Sequence, residues 1–221
     1  MPNETQVQDK TLEFSNGSER EELDPELLAL PDPPRGERRL TLLVLAVTAV
    51  ASLAMVVSLA RDAAYAFVSP SPVDLGELKN APQGALAPNT YVRARGMLGA
   101  AGAIRYERPF AEDSFRVAPV AGRPDVYVEV SVPAGEETSR YVPPAEFHGR
   151  LVRFDAAGPR HRGLRGAIAE RTGSAVPERA WLLVNGEPPD HARWAVALVA
   201  LFLSFALWNI AAILRFSRRV R

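Results

Sequence analysis

The side chains that most often carry enzyme chemistry are few in this sequence. It has no cysteine and only three histidines. The lack of cysteine excludes thiolate nucleophiles, disulfides, iron–sulfur clusters and thiolate zinc sites. Asp62, Ser114 and His148 are the residue types of a hydrolase triad, but no G-x-S-x-G turn carries the serine. The histidines also lack a zinc-binding spacing, and no glycine-rich phosphate loop with a lysine follows a strand. We therefore expect a protein that is not an enzyme, with no small-molecule substrate and no metal site.

The charge balance argues against a nucleic-acid partner. The chain of 221 residues carries 26 basic and 26 acidic side chains, which gives a formal net charge of zero. A protein that grips a polyanion needs a positive field over its surface. We expect no nucleic acid among the partners.

Two long apolar stretches organise the chain. Residues 40–60 and 194–214 are each 21 residues long and contain no charged side chain. About 20 helical residues cross the hydrocarbon layer of a bilayer, so each stretch predicts a transmembrane helix. The first stretch is longer than the apolar part of a signal peptide and follows 39 other residues, which favours a retained anchor over a cleaved signal. The lipid bilayer is thus the first predicted partner.

The flanking cations predict the orientation of these helices. Positive charges concentrate on the cytoplasmic side of membrane proteins. Only Arg61 and Arg193 flank the central segment at the membrane edge, whereas more cations lie on the other side of each stretch: Arg35, Arg38 and Arg39 before the first, and Arg215, Arg218, Arg219 and Arg221 after the second. We expect an inner-membrane protein with both termini in the cytoplasm and the central segment in the periplasm.

The tails differ in charge. Residues 1–39 hold ten acids and five bases, few large apolar side chains and several prolines, a composition typical of disorder. Within them Leu23, Leu27 and Leu30 follow a helical spacing, and Asp24 is placed to cap a helix that begins at Pro25. This stretch is either a short helix that docks on a partner or a linker that happens to carry leucines. Residues 215–221 form a basic cytoplasmic tail.

The central segment has the pattern of a small β domain. Residues 61–90 are proline-rich and predict a lead-in with little regular structure. Apolar and polar residues then alternate in several short runs within residues 91–190, which predicts strands at 91–98, 103–106, 114–119, 125–132, 149–155 and 180–185. Residues 164–172 have helical spacing and end at Gly173, a suitable C-terminal cap. The fold class is a membrane protein in which two transmembrane helices flank a mainly β (α+β) domain, a small, partly open β-barrel or sandwich with one short helix.

Three polar features could contact a partner. The basic loop 160–162, with Arg165 beyond it, is either solvated or a site for an anion or a lipid headgroup. Asn209 lies inside the second apolar stretch, where an amide is costly unless it is paired. It is expected to contact the first span or another membrane protein, unless interfacial water solvates it. His191 precedes the second stretch, and a neutral imidazole there is either an ordinary interfacial histidine or a haem ligand.

This layout resembles the surfeit-locus family of cytochrome c oxidase biogenesis factors, over about residues 91–214. The similar segments are the valine-rich strand 126–132 with Pro143 and Pro144 after it, the strand-like run 147–154, the short helix 168–173, the run 181–184 with Pro188 and Pro189, and the stretch 191–195. The resemblance implies two spans around an outer β-rich domain, and an integral membrane protein as partner. It also implies a haem contact, which would fall on His191.

These sequence features lead to two hypotheses for the function. The first is a non-enzymatic inner-membrane assembly or chaperone factor, for which the resemblance implies a haem–copper respiratory oxidase as client. The second is a two-span structural or signalling adaptor whose outer domain and acidic tail bind protein partners.

Overall fold

The computed structural model describes residues 35–109, 111–135 and 141–218. Within these residues the chain forms three α-helices and one mixed sheet of seven strands. The helices are α1 (Arg35–Tyr65), α2 (Leu164–Thr172) and α3 (Arg193–Arg218). The strands are β1 (Val73–Glu77), β2 (Thr90–Arg95), β3 (Ile104–Glu107), β4 (Ser114–Val120), β5 (Arg123–Val132), β6 (Glu146–Arg153) and β7 (Trp181–Asn185).

The sheet has the strand order β1-β2-β6-β7-β5-β4-β3. The pairs β1–β2 and β5–β7 are parallel, and the other four pairs are antiparallel. Beyond β2 the chain bends towards β4, where Leu98 and Val120 form an antiparallel bridge. This bridge joins the two ends of the run β2-β6-β7-β5-β4, so the sheet curves back on itself.

Alternating sequence patterns place apolar side chains on both faces of this curved sheet. Val126, Val128 and Val130 of β5 pack with residues of β6 and β7 in one buried cluster. Tyr127 points to the opposite face, where a second buried cluster contains Val117 and residues of α2. A sheet that is buried on both faces explains why β7 is apolar over four consecutive residues, Trp181 to Val184.

Helix α2 covers the second face. Its buried residues Leu164 and Ile168 lie one helical turn apart and face the sheet. The helix ends where expected, because Gly173 adopts a left-handed conformation (φ 69°) and its N–H donates to the Ala169 carbonyl at 2.8 Å. The expected mainly β domain with one short helix between two apolar helices is confirmed.

The segment between α1 and β2 is more ordered than its prolines predict. Helix α1 continues through Tyr65, past the predicted membrane edge at residue 60. Residues Val73–Glu77 then form β1, which pairs with β2 in parallel. The prediction of a lead-in with little regular structure is therefore wrong for these residues, because backbone pairing with β2 supplies the order that the local sequence lacks.

Helices α1 and α3 carry the apolar stretches. The segments Gly36–Tyr65 and Pro189–Ser217 are long and apolar enough to cross a membrane, and the most apolar windows within them have mean hydropathies of 2.6 and 2.3. In each segment only 11% of the most apolar window is buried. A helix in the core of a soluble protein would be mostly buried, whereas the described part of the chain leaves most of these two helices uncovered.

Candidate functional site

The residues of a hydrolase triad are not brought together. Ser114 begins β4 and His148 lies on β6, and β7 and β5 separate these two strands in the sheet. Asp62 is occupied elsewhere, since its Oδ1 accepts a hydrogen bond from Arg150 at 2.7 Å. Within the described ranges no group of three or more histidine, aspartate and glutamate side chains could hold a metal ion.

The most deeply buried polar group of the domain is the Glu129 cluster, which consists of Tyr106, Arg108, Glu129 and His161. Glu129 and His161 are 2% and 4% exposed. Glu129 Oε2 accepts from the Tyr106 hydroxyl at 2.8 Å and lies 2.6 Å from His161 Nε2, while Oε1 accepts from Arg108 Nη2. The guanidinium of Arg108 also stacks on Phe115, 3.8 Å from its ring centroid. The cluster ties β3, β5 and the loop after β6 together.

The protonation of this cluster follows from its partners. His161 Nδ1 lies 2.8 Å from the Ala157 carbonyl, and its Nε2 faces the Glu129 carboxylate and, at 3.4 Å, Arg108 Nη2. Burial would raise the pKa of Glu129, but the hydrogen bond and charge of His161, then Arg108 and Tyr106, outweigh burial and lower that pKa. Burial and the Glu129 carboxylate raise the pKa of Tyr106 far above its usual range, so this hydroxyl stays a donor. The Glu129 carboxylate is paired with the Arg108 guanidinium, and the hydrogen bonds of the cluster clamp β3, β5 and the loop after β6.

Sequence reasoning missed this cluster. Glu129 falls within the strand predicted at 125–132 and His161 within the basic loop 160–162, and nothing in the local sequence brings the two together. The structure shows that the loop is not simply solvated, because His161 is buried while Arg162 is exposed. The available signal was an acid in the middle of a strand whose neighbours are apolar, since a buried acid requires a cationic partner.

A second polar group, the Arg150 cluster, joins α1 to the sheet. It consists of Asp62, Tyr65, Asn89, Arg150 and Glu187. The buried guanidinium of Arg150 stacks 4.4 Å from the Tyr65 ring centroid, pairs with Asp62, and donates to Asn89 Oδ1 from Nε at 2.9 Å and Nη2 at 2.6 Å. In turn the Asn89 amide donates to the Arg61 carbonyl at 3.1 Å, which caps the end of α1.

The same cluster links the two long helices. The Tyr65 hydroxyl, at the end of α1, donates to the Glu187 carbonyl at 2.7 Å. Glu187 lies just before the 3₁₀ turn Pro189–Ala192 that leads into α3, and its Oε1 accepts from Arg160 Nη2 at 2.7 Å. The end of α1 and the turn that leads into α3 are therefore both fixed to the sheet at the Arg150 cluster.

Asn209 contacts α1 from within α3. The Thr48 hydroxyl has more than one possible acceptor. One is Asn209 Oδ1 on α3, at 3.2 Å, and another is the Val44 carbonyl of its own helix, at 2.9 Å. Asn209 is buried, and so are the small residues Ala49 and Ser52 on α1 and Ala206 on α3. Small residues are common where membrane helices pair. The contact with the first span that the sequence suggested is present, and binding of a further partner by Asn209 stays a prediction.

The other predicted site residues are less informative. His191 is exposed in the turn before α3, beside the surface ion pair of Asp190 and Arg193. Its imidazole is accessible, and its assignment as a haem contact stays a prediction. Leu23, Leu27 and Leu30 lie outside the described residues, and so does the acidic tail around them.

Comparison with known proteins adds no family. No protein-family model, no curated protein and no solved structure matches this chain.

Proposed function

We propose that the protein is a two-span membrane protein that acts without catalysis, as an assembly factor that holds an integral membrane partner. The β domain lies on the outer face of the membrane and both termini lie in the cytoplasm. The observation that carries the proposal is the apolar surface that α1 and α3 leave exposed after they have paired.

That surface is large on both helices. Val47, Val50 and Val57 of α1 are 59%, 67% and 75% exposed, and Leu207 and Trp208 of α3 are 59% and 74% exposed. In water such a surface would drive aggregation, whereas lipid tails or the helices of a partner would shield these apolar side chains from water. The arginines at the start of α1 and at the end of α3 support cytoplasmic termini, because cations are retained on that side.

The buried polar groups support action by contact. The Glu129 cluster and the Arg150 cluster contain most of the buried ionisable side chains of the domain, and their charges are paired within the fold. An active site needs a nucleophile or acid–base pair that a substrate can reach. Here the buried acid and histidine clamp strands to a loop instead, which leaves the outer surface for binding.

The client that we propose is a haem–copper oxidase, on the basis of the resemblance to the surfeit-locus family. The exposed position of His191 supports the associated proposal of a haem contact, since an axial ligand must be accessible. The β domain itself would then bind the oxidase subunit at the membrane surface.

Affinity purification in a mild detergent tests this function. We expect oxidase subunits to co-elute, and a strain without the protein to contain less assembled oxidase. A strain with normal oxidase content and normal haem spectra would contradict the proposal. Recovery of a cytoplasmic protein that is lost when residues 1–38 are deleted would instead favour the adaptor.

The haem assignment needs its own control. We expect the eluted protein to show a Soret band that His191→Ala abolishes and that His148→Ala leaves in place, because His148 is a second exposed histidine, on β6. A Soret band of unchanged size in His191→Ala would contradict the role of His191 and leave the assembly function standing.

A further inference from the structure

A cleft of about 450 Å³ lies where the end of α1 meets the loop after β6. On one side it is lined by Val57 and Ala60 of α1, and on the other by residues 156–158 and Arg160. Arg61, Asp62 and the buried Arg150 also line it. One wall therefore belongs to the apolar helix and the other to the β domain.

The charge of this cleft is positive. Its lining holds three arginines and one aspartate, which gives a formal charge of +2. Arg150 neutralises Asp62 through the 2.7 Å ion pair, and Glu187, which lies outside the lining, pairs with Arg160. Even with Glu187 counted the charge is +1. Arg61 and Arg160 are exposed, so their guanidinium groups can reach a ligand at the mouth of the cleft.

The change from apolar to cationic takes place over a short distance. Val57 and Arg61 are four residues apart on α1, which is about 6 Å along the helix axis. Val57 is 75% exposed, and Arg61 follows directly after the uncharged stretch 40–60. An acyl chain beside α1 would therefore place its phosphate at the level of the arginines.

We propose that this cleft binds the phosphate of an anionic phospholipid, with the acyl chains along α1 and the phosphate between Arg61 and Arg160. Arginine suits this ligand because its planar group donates two parallel hydrogen bonds to phosphate oxygens. Arg150 is a positioning residue, since Tyr65, Asp62 and Asn89 already occupy its guanidinium. This inference rests on the proposal that α1 spans the membrane.

The bound lipid would have a structural consequence. Arg61 Nη1 donates to the Ala156 carbonyl at 2.6 Å, so Arg61 already connects the end of α1 to the loop that forms the opposite wall. A phosphate shared by Arg61 and Arg160 would add a second connection between the same two elements. Anionic lipid would then fix the β domain relative to the membrane surface.

Native mass spectrometry of the purified full chain in detergent tests the cleft. The probes are phosphatidylglycerol, phosphatidylcholine with the same acyl chains, and inorganic phosphate. We expect preferential retention of phosphatidylglycerol and a loss of about fivefold in its association for each of Arg61→Gln and Arg160→Gln. Arg171→Gln is the matched control, because Arg171 is an exposed arginine on α2 outside this cleft.

Three results would overturn the proposal. They are equal retention of the two phospholipids, unchanged binding in the Arg61→Gln/Arg160→Gln double variant, and displacement of the lipid by an equal concentration of inorganic phosphate, which would make a free anion the ligand. Unchanged melting temperatures without added lipid confirm that the variants fold. If reporter fusions place the β domain outside but the lipid preference is absent, the lipid site is wrong and the proposed function stands. If the fusions place the β domain in the cytoplasm, the proposed topology is wrong, and the lipid site fails with it.

Discussion

At the scale of single residues, the stability of the β domain depends on the partners of one buried acid, Glu129. Glu129 lies in the middle of the longest strand, and three side chains from other parts of the chain donate to it. A carboxylate in such a place stabilises the fold only while a counter-charge and hydrogen-bond donors surround it. Removal of the Glu129 carboxylate should therefore lower the stability of the whole domain.

Replacement of Glu129 by glutamine should destabilise the protein by about 3 kcal/mol, because the Arg108 guanidinium loses its counter-charge inside the domain. Thermal unfolding in detergent, followed by tryptophan fluorescence, measures the change. Glu146→Gln serves as the control, since Glu146 pairs with Arg93 at the exposed surface, where ion pairs contribute little. Equal effects of the two substitutions would contradict the structural role of Glu129.

The same residue predicts a dependence of stability on pH. The pKa of Glu129 lies below the usual 4.5 in the folded protein, so the unfolded chain takes up the proton first as the pH falls. The contribution of Glu129 is complete above about pH 4.5 and is lost as the pH drops through its lower, folded pKa. We expect the melting temperature of the wild type to fall more steeply below pH 4.5 than that of Glu129→Gln. Parallel curves would show that Tyr106, Arg108 and His161 do not hold the carboxylate as described.

Glu187 and the proposed lipid phosphate compete for the Arg160 guanidinium. Glu187 accepts from Arg160 in the structure and thus draws this cation away from the lipid cleft. Glu187→Gln keeps the shape of the side chain and removes its charge, so we expect tighter retention of phosphatidylglycerol. Weaker retention in the same mass-spectrometric measurement would contradict the placement of the phosphate beside Arg160.

At the scale of elements, the close approach of β6 and β7 is the most demanding contact. Gly149 faces the β7 backbone, and a Cβ there would lie 2.7 Å from the Val184 carbonyl carbon and closer still to its oxygen. Gly149→Ala should destabilise the domain by about 3 kcal/mol, because backbone atoms cannot move aside as a flexible side chain can. Unfolding midpoints measure this effect.

Gly166→Ala is the matched control for Gly149→Ala. Gly166 lies within α2, and nothing approaches its Cβ position within 4 Å. Alanine should stabilise the helix there by about 0.5–1 kcal/mol. If Gly149→Ala were as stable as Gly166→Ala, the register of β6 against β7 would be wrong.

The pairing of the long helices makes a further prediction. Asn209→Leu removes the contact with Thr48 and should weaken the association of α1 with α3 by about 1 kcal/mol. Energy transfer between dyes attached to the two helices, measured in detergent, reports the pairing. Ser204→Ala is the control, because the Ser204 hydroxyl donates within its own helix, to Ala200. A larger loss in Ser204→Ala would contradict the observed interface.

The elements themselves were largely predictable, since strands and helices follow local patterns. The alternation in residues 125–132 predicted β5, and Gly173 marked the end of α2. The pairing partners were not predictable in this way. The parallel pairs β1–β2 and β5–β7 join segments with no shared local signal, and β1 depends on β2 for its order.

The Glu129 cluster and the Arg150 cluster could not be predicted from local sequence patterns for the same reason. Arg150 meets Asn89 because β2 and β6 are paired in a register that sets Tyr91 opposite Arg150. Asp62 reaches them because α1 continues one turn beyond its uncharged stretch. Residues far apart in the sequence become neighbours only through the sheet, so neither cluster could be assembled from spacing alone.

At the scale of the whole molecule, two paired apolar helices end at one β domain. The contact of Thr48 with Asn209 and the hydrogen bond of Tyr65 with the Glu187 carbonyl fix α1 and α3 as antiparallel neighbours. The β domain is therefore attached at the end of the pair where α1 finishes and α3 starts. The lipid cleft, the outer binding surface and the proposed client all depend on this arrangement lying across a bilayer.

Paired reporter fusions test that arrangement most directly. Alkaline phosphatase, active only outside the cytoplasm, is inserted at the exposed turn between β4 and β5, at Gly122, and a fluorescent protein that folds only in the cytoplasm is fused after residue 221. We predict an active phosphatase and a fluorescent carboxyl terminus in the same membrane fraction. An inactive phosphatase with a dark carboxyl terminus, or a protein that stays in solution without detergent, would contradict the account.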